Sequence, residues 1–388
     1  MNPVKTHRVA VVGCGMLDQS VHLPNIKNNP RLHLAVTCDV DAATAEKCRD
    51  KFGAERAESD WRKVVDAEDI DLIVLATHTN VRGDLIIPAL RAGKPVYTEK
   101  PLSASRHEMV EIVRTARETG VPVCVGHNRR SSPAVLEFKR LLDKARNGVS
   151  SVRPSVDRDP NRQPLPEQNQ TLLLMRVNDD VRSWKDWIFW DEDGIMFAEM
   201  VHFIDLALWL HPSPPVRVFA EGSTRGNFVL MLRFADGSIA NLHHTFVGSF
   251  DYPKELIEAT TNHVSLALEQ HIEVRQCGLA DEPMLQTFPY SPDASWAKKQ
   301  GVTGYFEELE AEYKAACEEG RGVRWINVIK GHGDQLDRFV THIEGNGPNP
   351  CDVESSIPVN RIAVKFLESA RLGLPIAIGP EDWHLPGC

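Results

Sequence analysis

Two short segments carry residues suited to redox chemistry on a dinucleotide. The first is a glycine turn, Gly13-Cys14-Gly15, which follows the apolar, β-branched run 8–12. Such a turn brings backbone amides close to a pyrophosphate, and the N-terminus of a following helix favours the phosphates. Asp18 departs from the dinucleotide fingerprint, which has Gly or Ala at that position. The second segment is Glu99-Lys100-Pro101, and the two together predict a nicotinamide-dependent enzyme.

An acidic residue ends the next apolar run, 32–39. Asp39 lies near the spacing of about 20 residues at which a carboxylate binds the adenine ribose. A carboxylate there accepts hydrogen bonds from ribose hydroxyls and repels a 2′-phosphate, and the following Val40-Asp41 offers no arginine. The position therefore favours NAD over NADP. The alternative is that Asp39 caps the next helix.

These segments belong to a regular alternation of strands and helices. Apolar strands are predicted at 8–12, 32–39, 70–77, 95–98 and 122–126, with helices at 84–91 and 107–119 between them. Strands that alternate with helices predict a doubly wound parallel sheet. We therefore expect an α/β Rossmann domain that binds NAD over residues 1–130.

The rest of the chain, 131–388, predicts an α+β domain for substrate binding and oligomerisation. A β-hairpin is expected from 228–234 and 239–246, since the turn Ala235-Asp236-Gly237-Ser238 joins them. Further strands are expected at 255–260 and 271–275, and helices at 334–344 and 358–372. This pattern predicts a mainly antiparallel open sheet with helices on one face.

Composition excludes several classes of function. The 388 residues carry a formal net charge of −10, which disfavours nucleic acid and anionic membranes as partners. The apolar stretch 196–210 contains Glu199, His202 and Asp205, so no membrane span is expected. Eight cysteines without a Cys-x-x-Cys pair argue against a zinc ribbon, and no metal is expected. The N-terminus enters the first strand without an apolar leader, which predicts a cytoplasmic protein.

Taken in order, the segments resemble the Gfo/Idh/MocA family of glucose-fructose oxidoreductase, inositol dehydrogenase and rhizopine catabolism proteins. The resemblance spans nearly the whole chain and is carried by Gly13-Cys14-Gly15, Thr77-His78-Thr79-Asn80, Glu99-Lys100-Pro101, Gly126-His127-Asn128-Arg129-Arg130 and Glu199-Met200-Val201-His202-Phe203-Ile204-Asp205-Leu206. The residues predicted to bind the cofactor are Gly13, Gly15, Met16, Leu17, Asp39, Thr77, Thr79, Asn80, Glu99, Lys100 and Asn128.

The resemblance implies that Lys100 lies between nicotinamide and substrate, as a catalytic and substrate-binding residue. It also implies that His202 lies on a helix at the domain interface and bonds the substrate hydroxyl. The family's commoner pattern has Asp four residues before this His, whereas this chain has Ala198 there and Glu199 one residue later. Glu199 shares a helix face with His202 and is the expected catalytic partner. The alternative is a surface Glu beside a core His.

Three further positions are predicted to contact substrate. Arg129 follows the last strand of the first domain, and the resemblance places Trp187 near nicotinamide and substrate, although its aromatic segment 181–190 could equally seal an interface. Lys254 resembles a family position near the active site, although it could also be a solvated strand-edge lysine.

The polar segment 150–169 is expected to be a loop whose Arg153, Arg158 and Arg162 line a pocket or contact solvent.

Three functions remain open at this point. The first is an NAD-dependent oxidoreductase that transfers a hydride between nicotinamide and a secondary hydroxyl of a sugar, polyol or sugar derivative. The second is an NAD-dependent, redox-neutral glycosidase that acts by oxidation, elimination, hydration and re-reduction at the same site. The third is a non-catalytic sugar or nucleotide sensor on the same fold. The expected partner is a small carbohydrate, and the resemblance implies a homodimer or homotetramer.

Overall fold

The computed structural model describes residues 6–103, 105–147, 167–183, 194–290, 299–324 and 327–382. Contacts group them into two compact units, of which the first contains 6–131, 331–360 and 380–382. The second contains the described residues of 132–330 and 361–379. The sequence-based division assigned everything beyond 130 to one domain, whereas 331–360 belong to the first unit. They belong there because Leu336, Phe339 and Val340 pack into its apolar core.

The first unit is built on a six-stranded parallel sheet of order β3-β2-β1-β4-β5-β6. Its strands are β1 (His7–Val12), β2 (Leu32–Cys38), β3 (Arg56–Glu58), β4 (Leu72–Leu75), β5 (Val96–Thr98) and β6 (Val123–Val125). The apolar β4 is buried along its whole length, as expected of a central parallel strand covered on both faces. The predicted Rossmann fold is thereby confirmed. Chain order reverses between β1 and β4, where doubly wound sheets bind their ligands.

The second unit contains a nine-stranded sheet of order β14-β13-β12-β11-β7-β10-β9-β8-β15. Its strands are β7 (Leu172–Asn178), β8 (Pro215–Gly222), β9 (Phe228–Phe234), β10 (Ile239–Thr245), β11 (Glu255–Thr261), β12 (Val264–Glu269), β13 (Glu273–Cys277), β14 (Leu285–Thr287) and β15 (Ile376–Ala377). Only the β7–β10 pair is parallel among these described strands. Burial alternates along β7 and β9, so one face of the sheet packs against the core. The predicted mainly antiparallel sheet is confirmed.

The α-helices of the described residues cover the two sheets. In chain order they are α1 (Leu23–Asn28), α2 (Ala42–Phe52), α3 (Trp61–Asp66), α4 (Arg82–Arg91), α5 (Arg106–Thr119), α6 (Pro133–Asn147), α7 (Val201–Leu210), α8 (Gly301–Glu319), α9 (His332–Ile343) and α10 (Ile357–Leu372). Ser105 caps α5 by accepting a hydrogen bond from the backbone N–H of Glu108, and the helix buries Met109, Ile112 and Val113. Two π-helical turns, Asp18–His22 and Met196–Met200, directly precede α1 and α7.

Candidate active site

The glycine turn lies directly after β1, where the strand order reverses. Gly13 has a φ of 96°, and a Cβ there would lie 2.7 Å from the carbonyl oxygen of Ala76. Both facts require glycine at this position. Gly15 opens the helical stretch 16–28, in which Met16 and Leu17 are exposed at 76% and 39%. A tight turn leading into a helix at the switch point fits the pyrophosphate of a dinucleotide.

Asp39 follows β2 beside the glycine turn. Its Oδ2 accepts a 2.8 Å hydrogen bond from the backbone N–H of Cys14, and its Oδ1 accepts one of 3.0 Å from that of Asp41. Asp41 is the residue that caps α2, through the N–H of Ala43. The helix-cap alternative for Asp39 therefore does not apply, and a half-buried carboxylate beside the turn fits the ribose of the cofactor.

A buried arginine ties together the two loops after β4 and β5. The Arg82 side chain donates to the carbonyl oxygen of Thr77 from Nε at 3.1 Å and from Nη2 at 2.8 Å. Its Nη1 donates to the carbonyl oxygens of Glu99 and Pro101. Burial lowers the pKa of Arg82 to about 10. Sequence reasoning missed this residue, which lies at the start of helix α4 ahead of the apolar run 85–87.

The loop after β4 also holds the other two predicted cofactor residues of this segment. Thr79 is half-buried and begins a short 3₁₀ turn, and Asn80 is exposed within it. Thr77 is half-buried at the start of the loop. The loop therefore has a Thr77 carbonyl group that Arg82 fixes, and it carries the polar side chains of Thr77, Thr79 and Asn80 at the edge of the sheet.

Glu99 is the centre of a buried polar cluster below Lys100. Its Oε1 lies 2.9 Å from Nε2 of His22, and its Oε2 accepts a 3.2 Å hydrogen bond from the backbone N–H of Lys100. Burial by itself would raise the pKa of Glu99, but the hydrogen bond and charge of His22 lower it to about 2. Burial would lower the pKa of His22, and the same bond to Glu99 raises it. The ion pair fixes the backbone that carries the half-buried Lys100.

Asp18 adds a third titratable group to this cluster. It is 1% exposed, and within the described part of the chain neither of its carboxylate oxygens has a hydrogen-bond partner of good geometry. Burial raises the pKa of Asp18 to about 8 against the opposing charge of His22. The fingerprint departure seen in the sequence is thus a buried carboxyl group at the start of the helix that follows the glycine turn.

Asn128 and Arg129 follow β6 in a 3₁₀ turn and are both buried. The Nδ2 of Asn128 lies 3.5 Å from Nδ1 of His332. The predicted cofactor residues thus follow β1, β2, β4, β5 and β6, and the carboxyl ends of parallel strands share one edge of a sheet. The first unit therefore brings this predicted set together.

In the second unit, Glu199 and His202 lie where the π-helical turn passes into α7. Glu199 is 8% exposed and His202 is 6% exposed. The alternative of a surface glutamate is therefore wrong. The role of Glu199 as proton partner of His202 stays a prediction.

Lys254 connects Glu199 to two residues that sequence reasoning missed. Its Nζ lies 3.0 Å from Oε1 of Glu199 and 2.6 Å from Oδ1 of Asp179. The other carboxylate oxygen of Asp179 lies 3.1 Å from Nε2 of His244. Lys254 is therefore not a solvated strand-edge lysine. No local sequence pattern marks Asp179 and His244, because these groups meet only when β7, β10 and β11 pair.

Some predictions fall outside the described residues. Trp187 lies there, as do Arg153, Arg158 and Arg162 of the segment 150–169. Within the described ranges, no group of three His, Cys, Asp or Glu side chains is placed to hold a metal ion. The helices of the same ranges include none that is both long and apolar enough to cross a membrane.

Comparison with known proteins identifies both parts of the chain. Residues 7–127 match the model of the Gfo/Idh/MocA oxidoreductase family, NAD-binding Rossmann fold. Residues 173–267 match the model of the Gfo/Idh/MocA C-terminal domain. The predicted cofactor, NAD, is thereby confirmed.

Relatives and solved structures agree with these matches. An uncharacterized oxidoreductase of Bacillus subtilis, YrbE, is 24% identical over 95% of both chains. Myo-inositol 2-dehydrogenase of Thermotoga maritima is 24% identical over 64% of this chain and 71% of its own. The WlbA dehydrogenase of Bordetella pertussis, solved with NADH and UDP-GlcNAcA, shares the fold with a TM-score of 0.70 at 18% identity over 97% of this chain and 98% of its own. The chain belongs to the Gfo/Idh/MocA family of NAD-binding oxidoreductases.

Proposed function

We propose that this protein is an NAD-dependent dehydrogenase that oxidises a secondary hydroxyl group of a polyol or sugar. The observation that carries the proposal is the position of Lys100, which follows β5 at the same sheet edge as the glycine turn. The ion pair between Glu99 and His22 holds its backbone in place. The inositol dehydrogenase among the relatives favours a polyol as substrate.

The residues of this chain divide the chemistry between them. NAD, when bound, takes up the hydrogen and electron pair that leave the substrate carbon. Lys100 holds the reacting hydroxyl and accepts its proton, a role suited to a partly buried lysine near a positive ring. His202 orients the same hydroxyl, and Glu199 is the acid–base partner of His202. Arg129 and Trp187 contribute to substrate binding.

The cofactor is held by the set at the sheet edge. Gly13 and Gly15 give the phosphates access to backbone amides, and Asp39 accepts hydrogen bonds from the ribose. Met16, Leu17, Thr77, Thr79, Asn80, Glu99 and Asn128 complete the proposed lining. A small carbohydrate partner and a homodimer or homotetramer belong to the same proposal.

The test is to incubate the protein with NAD⁺ and a panel of inositols, free sugars and aryl glycosides. NADH absorbance and released aglycone are followed together. We expect NADH in proportion to product with at least one polyol or free sugar, and weaker activity with NADP⁺ because Asp39 repels the 2′-phosphate.

The same assay separates the alternatives. Aglycone release without NADH accumulation would show the redox-neutral glycosidase, which uses the same first step. Tight NAD⁺ binding without turnover on any substrate would show a sensor. A protein that binds no nicotinamide nucleotide would contradict both NAD-dependent functions.

A further inference from the structure

Four charged or ionisable side chains form a chain of contacts in the second unit. His244, Asp179, Lys254 and Glu199 follow one another, with Nε2 to Oδ2 at 3.1 Å, Oδ1 to Nζ at 2.6 Å and Nζ to Oε1 at 3.0 Å. The chain starts on β10 and ends on the π-helical turn that leads to His202. It therefore connects the central strands of the sheet to the helix that carries the proposed substrate-orienting residue.

The middle of this chain is fixed by the sheet itself. The backbone N–H of Asp179 donates to the carbonyl oxygen of Thr245 at 2.8 Å, and the carbonyl oxygen of Lys254 accepts from Asn178 at 2.8 Å. The N–H of Lys254 donates to Oε1 of Gln270 at 2.7 Å. The backbone of Lys254 is therefore fixed by hydrogen bonds at both its N–H and its carbonyl group, and the backbone of Asp179 is fixed by a hydrogen bond to Thr245.

The electrostatics of the chain make Lys254 its essential member. The Asp179 side chain is fully buried, and those of Glu199 and Lys254 are 11% and 14% exposed. Without the ammonium, two buried carboxylates would face each other across the space that it fills. His244 places Nδ1 at the carbonyl oxygen of Gly226 and Nε2 at Asp179, so it holds the second oxygen of that carboxylate.

We propose that Lys254 is a positioning residue that holds the Glu199 carboxylate for catalysis and is itself held by Asp179 and His244. The inference rests on the proposed dehydrogenase function and replaces direct substrate binding as the role of Lys254. An ammonium that already lies between two carboxylates is better placed to fix Glu199 than to bind a neutral hydroxyl.

The test is a double-mutant cycle on the full-length enzyme with the best substrate of the panel. Lys254→Met, Glu199→Gln and the double variant are compared with the wild type for kcat, KM and NAD⁺ affinity. We expect each single variant to lose about 10- to 100-fold in kcat, since small misplacements of catalytic groups cost this much. The double variant should lose little more, because both changes remove the same interaction.

Two variants serve as controls. Lys254→Arg should retain most of the wild-type kcat, because a guanidinium can also bridge two carboxylates. Lys144→Met is matched, since Lys144 lies between Asp281 at 2.8 Å and Glu282 at 2.5 Å elsewhere in the same unit. It should leave kcat and KM unchanged. If Lys254→Met does not fold, Asp179→Asn takes its place, with the same loss expected in kcat and not in NAD⁺ affinity.

The outcomes separate this inference from the function on which it rests. A raised KM with unchanged kcat, persisting in the Glu199→Gln background, would show a direct substrate ligand and overturn the positioning role. Fully additive losses in kcat would overturn it as well. Absence of any wild-type turnover would instead overturn the proposed dehydrogenase function.

Discussion

Among single residues, Asp18 of the first unit is an ionisable group at a position where the dinucleotide fingerprint has Gly or Ala. Asp18, His22 and Glu99 lie together with exposures of 1%, 1% and 4%. His22 and Glu99 form an ion pair, whereas the Asp18 oxygens have no well-aligned hydrogen-bond partner among the residues that the structure describes. A buried carboxyl group of this kind is costly when ionised, so its protonation should affect folding and cofactor binding.

Asp18→Asn should make stability less sensitive to rising pH. Burial places the folded-state pKa of Asp18, about 8, above the ordinary aspartate value of 3.8, so the folded protein binds more protons than the unfolded chain between these values. The wild type therefore loses stability as pH rises through this window. We expect the variant to gain about 1–3 kcal/mol relative to wild type near the upper end, measured by urea unfolding across the pH range.

Asp84→Asn, which changes an exposed carboxylate of the same unit, controls for the loss of one charge. A stability difference between Asp18→Asn and wild type that stays constant from about pH 4 to about pH 9 would show that Asp18 does not titrate in this window.

At the scale of elements, the guanidinium of Arg82 fixes two loops with one side chain. It bonds the carbonyl oxygen of Thr77 after β4 and those of Glu99 and Pro101 after β5. These loops carry the predicted cofactor residues Thr77, Thr79, Asn80 and Glu99, and they also carry Lys100. The position of Lys100 therefore depends on the first turn of α4 as well as on its own strand.

Arg82→Lys should weaken NAD⁺ binding and lower turnover about tenfold, because an ammonium cannot reproduce the planar fork that reaches three carbonyl groups. The unfilled acceptors should also cost about 1–3 kcal/mol of stability. Fluorescence titration with NAD⁺ and thermal unfolding measure the two effects. Arg91→Lys at the exposed end of the same helix is the control, and wild-type affinity in Arg82→Lys would contradict the role of Arg82.

Elements with a strong local pattern could be predicted from the sequence. Strands β1 and β4 can be recognised from their apolar runs, because burial on both faces requires apolar residues throughout a short strand. The turn between β9 and β10 can be recognised because hairpin geometry depends on only a few turn residues. The predicted elements omitted several that the structure contains, among them β7, β12 and α8. β7 pairs with β10 and β11, which lie far along the chain, so its place in the middle of the sheet depends on non-local contacts.

At the scale of the whole molecule, the same distinction applies to the candidate site. The glycine turn could be found because Gly13 has a fixed backbone requirement, and Asp39 and Glu99-Lys100-Pro101 could be found because they directly follow recognisable apolar strands. Asp179, His244 and Arg82 could not, since their roles arise from contacts across distant strands and loops. The return of residues 331–360 to the first unit is likewise a result of packing, through Phe339 and its neighbours.

We propose that Lys100, although it belongs to the predicted cofactor set, contributes far more to turnover than to NAD⁺ affinity. The most direct measurement compares the wild type with Lys100→Met for both NAD⁺ affinity and NADH formation from the best polyol, with Lys27→Met, an exposed lysine of α1, as the control. We predict that Lys100→Met binds NAD⁺ within about threefold of wild type and loses turnover by about 100-fold or more, as expected for loss of a general base. Wild-type turnover in Lys100→Met would contradict a catalytic role for Lys100.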